Sequence, residues 1–216
     1  MRRLPVYLLL DTSASMKGEP LDAMTRGVQT MIAALRQNPQ AIESVYISII
    51  TFNTTAQVAV PLIDLASFQL PQIEARGQTA LGAALSLVTE RIDAEVLKTS
   101  MEQKGDWKPI VFIMTDGVPI DNWQKGLDQF RAARTVYTIA CAAGEHANTE
   151  ILKQITPHVI CLAKADEETM SRFFLWMSAS IDRTSVRVES QGDYSDLSSL
   201  DELPPPPPNI NIIKKT

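Results

Sequence analysis

The chain has 216 residues, 45% of them hydrophobic, and a net charge of −5. That length and apolar content fit one domain of generous size with a sizeable core. The acidic balance excludes a general nucleic-acid binder, which needs a basic surface, and no Lys/Arg cluster longer than a pair marks a membrane-surface binder. Met-Arg-Arg-Leu-Pro precedes only five apolar residues before Asp11, too few for a signal-peptide core, and no apolar stretch approaches the length of a membrane span. A cytoplasmic protein with no membrane insertion is the expectation.

The predicted elements alternate along the chain. Val6 to Leu10 is a fully apolar run, as a strand buried on both faces requires. Pro20 suits the first turn of a helix, and Leu21, Met24, Val28, Met31, Ile32 and Leu35 recur at helical spacing. Val45 to Phe52 and Ala56 to Val60 read as two strands across an Asn53-Thr54-Thr55 turn, short enough for an antiparallel hairpin. Leu81, Leu85, Val88, Ile92 and Val96 mark the next helix, Lys98 to Lys108 a polar loop, and Ile110 to Met114 another buried strand. Asp121 or Asn122 can cap a helix carrying Trp123, Leu127 and Phe130. Val136 to Cys141 reads as strand, Asn148 to Ile155 as a short helix and Val159 to Leu162 as the last core strand. Asp166, Glu167 and Glu168 open a final helix at its positive dipole end, with Met170, Phe173, Phe174, Met177 and Ile181 on its apolar face. Strands alternating with helices imply an α/β fold. It is a doubly wound, Rossmann-like, mostly parallel sheet with one antiparallel edge strand and helices on both faces.

The composition divides the chain into a domain at 1–187 and a tail at 188–216. Glu189 to Glu202 is rich in Ser and Asp, Pro204 to Pro208 forms a run of five prolines, and Asn209-Ile210-Asn211-Ile212-Ile213 alternates weakly. The tail reads as a flexible segment. It is free, or docks as a strand on another protein's sheet, or straps its own domain. Cys141 and Cys161 read as reduced core thiols, and a disulfide between them requires neighbouring strands. His146 and His158, without paired cysteines, make no zinc site.

The chemistry concentrates at two strand ends. The first apolar run stops on Asp11, with Ser13 and Ser15 at the second and fourth places after it. The strand Ile110 to Met114 leads into Thr115-Asp116-Gly117, and Thr79 stands in a loop just before a helix. Ligands of open parallel sheets sit at strand carboxyl ends, where the winding direction reverses. If the two strands are central neighbours, Asp11 and Asp116 face each other, an arrangement that is costly without a cation between them. All-oxygen ligands of this hardness suit Mg²⁺, Mn²⁺ or Ca²⁺ rather than zinc.

Asp11-x-Ser13-x-Ser15, a loop Thr79 and a strand-terminal Asp116-Gly117 together resemble the metal-ion-dependent adhesion site of von Willebrand factor A (vWA) domains. Three stretches look closest to the bacterial TerY-like, tellurite-resistance-associated members: Leu10 to Met16 with Gly18-Glu19-Pro20, Thr115 to Pro119 with Asp121 and Trp123, and Phe173 to Ser180. The resemblance covers Leu4 to Val186. It implies the vWA fold and a divalent cation, Mg²⁺ foremost, with Mn²⁺ or Ca²⁺ as alternatives. Ser13 and Ser15 match direct hydroxyl ligands, Thr79 the loop hydroxyl, and Asp11 and Asp116 the two acidic positions that act through bound water. Gln78 departs from the glycine of close relatives, which bears on the conformation of the Thr79 loop.

Met16 and Val118 read as apolar residues rimming the site, and Trp123 as a helix-face core residue or a contact aromatic beside the metal. Phe173, Phe174 and Trp176 read as core or as an interdomain patch. The leading functional expectation is a non-enzymatic module whose protein partner donates an Asp or Glu to the metal, within a tellurite-resistance, stress-response or phosphorylation-linked system. A scaffold with a structural or vestigial metal is the alternative. A haloacid-dehalogenase-like phosphatase is disfavoured, because Ser13 stands where that chemistry needs a second Asp.

Overall fold

The computed structural model describes residues 2–100, 104–132, 136–144, 147–191, 207 and 210–213, with backbone alone for 184–191 and 210–213. Strands are β1 (Leu4–Asp11), β2 (Val45–Phe52), β3 (Ala56–Asp64), β4 (Ile110–Thr115), β5 (Tyr137–Ala143), β6 (Val159–Leu162) and β7 (Ile210–Ile213). Helices are α1 (Glu19–Leu35), α2 (Pro39–Ser44), α3 (Leu81–Glu95), α4 (Trp123–Ala132), α5 (Thr149–Ile155) and α6 (Glu167–Gln191). A single 3₁₀ turn, Ala14–Met16, follows β1.

The strands form one sheet in the order β3-β2-β1-β4-β5-β6-β7. From β2 to β6 every pairing is parallel, and β3 is antiparallel to β2, as the short turn predicts. β7, from the chain's C-terminal segment, adds a second antiparallel edge beside β6. Within the tail, residues 192–206 lie outside the described residues. Winding runs from β1 outward to β2 on one side and from β4 outward to β6 on the other. The β1–β4 boundary is therefore the switch point.

Strand alternation sorts the core into two layers. Val6, Leu8, Leu10, Ile110, Phe112 and Met114 meet Met24, Met31, Phe173 and Phe174 of α1 and α6 on one face. Tyr7, Leu9, Val111 and Ile113 meet Leu81, Leu85, Leu127 and Phe130 of α3 and α4 on the other. Phe173, Phe174 and Trp176 are thus core residues. α1 and α6 pack closely: a Cβ on Gly27 would lie 2.2 Å from the Phe174 ring. Cys141 and Cys161 occupy neighbouring strands but remain free. Cys141 pairs with Ile160 and Cys161 with Ala142, an offset of one residue that turns the two thiols to opposite faces.

α3 and α4 meet through glycines. A Cβ on Gly126 would stand 2.2 Å from the Gly82 carbonyl oxygen, so the helices touch backbone to backbone. α3 has no capping side chain of its own at Ala80. Its first amides, Gly82 N–H and Ala83 N–H, instead donate to the Asp121 carboxylate at 3.2 and 2.8 Å. Of the two residues expected to cap α4, Asp121 or Asn122, the Asp121 side chain instead serves α3 from the loop before α4. α2, a short helix the sequence reading omits, begins at Asn38, whose side chain accepts from Gln40 N–H at 3.0 Å, with Pro39 in the first turn.

Two expected outcomes follow from this packing. Asp121→Ala should cost about 1 kcal/mol, typical of a lost helix cap, and lower the melting temperature by about 2–4 °C. Gly126→Ala should cost about 1–3 kcal/mol through overpacking; thermal melts of both variants check this. His158 is buried at the start of β6 with its ring 5.1 Å from that of Tyr137, and burial holds its pKa below the ordinary value. The folded protein therefore favours the neutral ring. Stability should be fully present above the unfolded pKa of about 6.5 and fall as pH drops below it. Melts from pH 7.5 to 5.5 should show this loss, and His158→Phe should flatten it.

Candidate functional site

β1 carries Asp11 to the carboxyl end of the sheet at the switch point, and the register Leu10↔Met114 sets Thr115 of β4 beside it. Asp11 is fully buried. Its Oδ1 accepts the Ser13 amide at 2.8 Å, and its Oδ2 accepts the Thr115 hydroxyl at 2.5 Å. Thr115 Oγ1 in turn accepts the Gly117 amide at 3.2 Å, which fixes the loop that carries Asp116. Burial pushes the Asp11 carboxyl above the usual carboxylate range. The hydrogen bonds from Thr115 and Ser13 oppose the rise without cancelling it, and the charge on Asp116 adds to it.

The two serines complete a contiguous oxygen cluster. Ser15 Oγ donates to Asp116 Oδ1 at 2.8 Å, and Ser13 Oγ lies 2.9 Å from Ser15 Oγ. Ser15 has one hydroxyl hydrogen and gives it to Asp116, so toward Ser13 it can only accept. Ser13 is buried and Ser15 exposed, so the cluster is closed toward the sheet and open toward solvent.

Thr79 joins from a separate loop. It is buried, and a Cβ on Gly117 would stand 2.6 Å from its Oγ1, so Gly117 must lack a side chain for the hydroxyl to lie beside the Asp116 loop. The Ile120 amide donates to the Thr79 carbonyl at 3.0 Å. The Arg76 amide bonds to Thr12 O and the Ala14 amide to Gly77 O, tying this loop to the turn after β1. Gln78 is exposed and donates its amide to Thr54 Oγ1 at 3.2 Å. The left-handed conformation in this loop belongs to the preceding Gly77, at φ 73°.

All five predicted ligand residues thus converge on one end of the sheet. The donor set fits a hard divalent cation. It has two carboxylates and three hydroxyls, and the buried Asp11 carboxylate is met by an amide and a hydroxyl, with no cationic side chain bonded to it among the described residues. A cation here would be met by lone pairs of the serine hydroxyls and would offset the cost of ionising Asp11.

The three predicted contact residues separate. Val118 is 57% exposed and stands beside Asp116. Met16 is fully buried in the α1/α6 core layer and does not rim the site, because the 3₁₀ turn leaves Ala14 and Ser15 outward and rotates Met16 inward. Trp123 is half-buried and packs on the α3/α4 core layer, and its backbone lies against Gly82. Two residues of the site were missed. Thr115 is legible from its place one residue before a strand-terminal Asp. Ile120, 56% exposed on the same loop as Val118, carries no local signal.

A family model described as the von Willebrand factor type A domain matches residues 6–175. No curated protein sequence matches the chain. Among solved structures, proximal thread matrix protein 1 from the mussel byssus aligns with a TM-score of 0.62 at 18% identity, over 82% of this chain and 48% of that one. A von Willebrand factor type A protein from Catenulispora acidiphila gives 0.61 at 15% identity, over 83% and 42%. The pilus adhesin SpaC from Lactobacillus rhamnosus GG gives 0.67 at 14%, over 85% and 31%. This chain spans under half the length of each of these proteins, and likeness at such identities speaks to fold alone. With the matched family model, the sheet order and the strand-end site in agreement, the chain belongs to the von Willebrand factor type A domain family.

Proposed function

We propose that this domain is a divalent-cation-dependent protein-binding module. Asp11, Ser13, Ser15, Thr79 and Asp116 hold the cation, and a carboxylate from a protein partner completes its coordination. The observation that carries this reading is the one-sided oxygen cluster: Asp11 buried beneath, Ser13–Ser15–Asp116 linked above it, and Ser15 facing solvent. A cation held largely by neutral hydroxyls keeps much of its charge for an outside carboxylate. Val118 and Ile120, exposed on the Asp116 loop, offer apolar flanks to whatever brings that carboxylate.

Mg²⁺ is the proposed cation, on ligand hardness. One structure of proximal thread matrix protein 1 has a zinc-occupied metal-ion-dependent adhesion site motif, so Zn²⁺ belongs in any titration beside Mg²⁺, Mn²⁺ and Ca²⁺. The module is proposed to be non-enzymatic, since Ser13 occupies the position where an aspartyl phosphatase needs its acid. A cytoplasmic setting is part of this proposal, and a role in a tellurite-resistance, stress-response or phosphorylation-linked system rests on the sequence likeness of the three stretches described above. Among the described residues, no helix is long and apolar enough to cross a membrane.

Asp11→Asn should abolish the divalent-cation response in calorimetry while the metal-free protein melts at or above the wild-type temperature at neutral pH. The sign follows from the raised folded pKa of Asp11. Ionising the buried acid costs stability above that pKa and nothing below the unfolded value, so the difference between the proteins should close on acidification. Unchanged cation affinity in Asp11→Asn would refute the site. Once a partner is in hand, its affinity must rise with cation concentration, and the cation must bind more tightly when the partner is present. Thr79→Ala should weaken partner binding more than cation binding. Binding that persists in chelator would sink the metal-bridged reading even with the fold intact.

A further inference from the structure

Thr79 is held differently from the other four oxygen-bearing residues of the site. Asp11, Ser13, Ser15 and Asp116 are linked in series by hydrogen bonds. Among the described residues, no hydrogen bond joins the Thr79 hydroxyl to any of them. Threonine is β-branched and stiff at χ1, so the place of its hydroxyl follows the place of its backbone. What holds the backbone at 79 therefore decides whether the third hydroxyl reaches a cation.

The turn between β2 and β3 supplies that hold. Phe52 ends β2 and Ala56 starts β3, so Asn53-Thr54-Thr55 must reverse the chain. Asn53 closes the turn on itself: its amide donates to the Thr55 carbonyl at 2.9 Å and its Oδ1 accepts the Thr55 amide at 3.4 Å. Asn53 Nδ2 also donates to Thr12 Oγ1 at 3.4 Å, which ties the turn to the segment that carries Ser13 and Ser15. The residues on either side of Thr79 both donate to this turn. Gln78 N–H reaches Thr54 Oγ1 at 3.2 Å, and Ala80 N–H reaches the Asn53 carbonyl at 2.7 Å. Gly77 lies flat against the same hydroxyl, since a Cβ there would stand 2.2 Å from Thr54 Oγ1. From the other side the Ile120 amide holds the Thr79 carbonyl at 3.0 Å. Thr54 is exposed on a turn, makes no contact with the oxygen cluster itself, and yet fixes the residue before Thr79 through its side chain.

We infer that Thr54 is a positioning residue for Thr79 and sets cation affinity through it, with Asn53 gripping the far side by its backbone. This rests on the proposed metal site and adds to it a residue that no ligand pattern marks. With the Thr54 acceptor gone, the exposed Gln78 amide turns to water, and the loop from Gly77 to Thr79 gains freedom that a cation must then remove when it binds.

The test separates the acceptor from the shape. Thr54→Val removes the hydroxyl and keeps the branched side chain, Thr54→Ser keeps the hydroxyl, and Thr54→Ala is a second variant without it. In calorimetric titrations with Mg²⁺ and Mn²⁺, Thr54→Val and Thr54→Ala should bind about threefold to tenfold more weakly, and Thr54→Ser within about twofold of wild type. Neither loss should exceed that of Thr79→Ala. Melting temperatures should stay within about 2 °C of wild type, because the lost bond is exposed. In the Thr79→Ala background, adding Thr54→Val should change cation affinity by less than about twofold, since the hydroxyl it positions is no longer there. Hydrogen exchange on the metal-free protein gives a readout that needs no cation: the Gln78 and Ala80 amides should exchange faster in Thr54→Val and recover in Thr54→Ser. Wild-type cation affinity in Thr54→Val, unchanged exchange at both amides, or a loss of affinity that persists in full without the Thr79 hydroxyl overturns the inference and leaves the metal site standing. A wild-type chain that binds none of Mg²⁺, Mn²⁺ or Ca²⁺ overturns the metal site and this inference with it.

Discussion

The parallel pairing of β1 with β4 is the constraint from which the rest of the molecule is arranged. It sets Asp11 and the Thr115-Asp116 step side by side at the point where the sheet reverses its winding. A carboxylate with no exposure at that point is expensive to ionise. The structure meets part of that cost with a backbone amide and a threonine hydroxyl. The part left over is a cost that a bound cation would offset. The surrounding loops then have one task, to hold three hydroxyls and a second carboxylate near that buried charge.

Those loops are tied to one another by backbone hydrogen bonds. The Thr79 loop bonds to the turn after β1 through Arg76 and Ala14, and to the Asp116 loop through Ile120. Gly117 leaves room for the Thr79 hydroxyl, and Gly82 and Gly126 bring α3 and α4 to backbone contact. Asp121 adds the electrostatic counterpart, a carboxylate at the positive end of α3 supplied from the loop before α4. Short hydrogen-bonded links of this kind position side chains more accurately than long free loops do.

Much of this was readable before any coordinates. Apolar runs such as Val6 to Leu10 and Ile110 to Met114 are unbroken because central parallel strands are buried on both faces, so the fold class and the two strand-end acids show in one pass. The five oxygen-bearing residues follow from spacing and family likeness together. What did not show depends on distance in sequence or on a single turn of chain. Met16 lies in a three-residue 3₁₀ turn, too short for periodicity to say which way its side chain faces. Asp121 looks like a cap for the helix after it, and only the fold brings it to amides 38 and 39 positions away. The thiols of Cys141 and Cys161 satisfy the condition of neighbouring strands and still cannot meet, because register decides the face. β7 is four residues beyond a proline run, with no core pattern of its own to announce it.

The direction of the edge strands has a mechanical consequence. Leu4 starts β1 and Ile213 ends β7 at the same end of the sheet, opposite to Asp11 and Asp116. A tether leaving either end of the described chain departs from the pole farthest from the oxygen cluster. A load between that cluster and the Leu4 end would run along β1 and its parallel neighbour β4. Parallel strands resist that direction by shearing all their hydrogen bonds at once, whereas a peeling load would open them one after another. The polarity of the sheet thus aligns such a load with the strands and leaves the face of the oxygen cluster open.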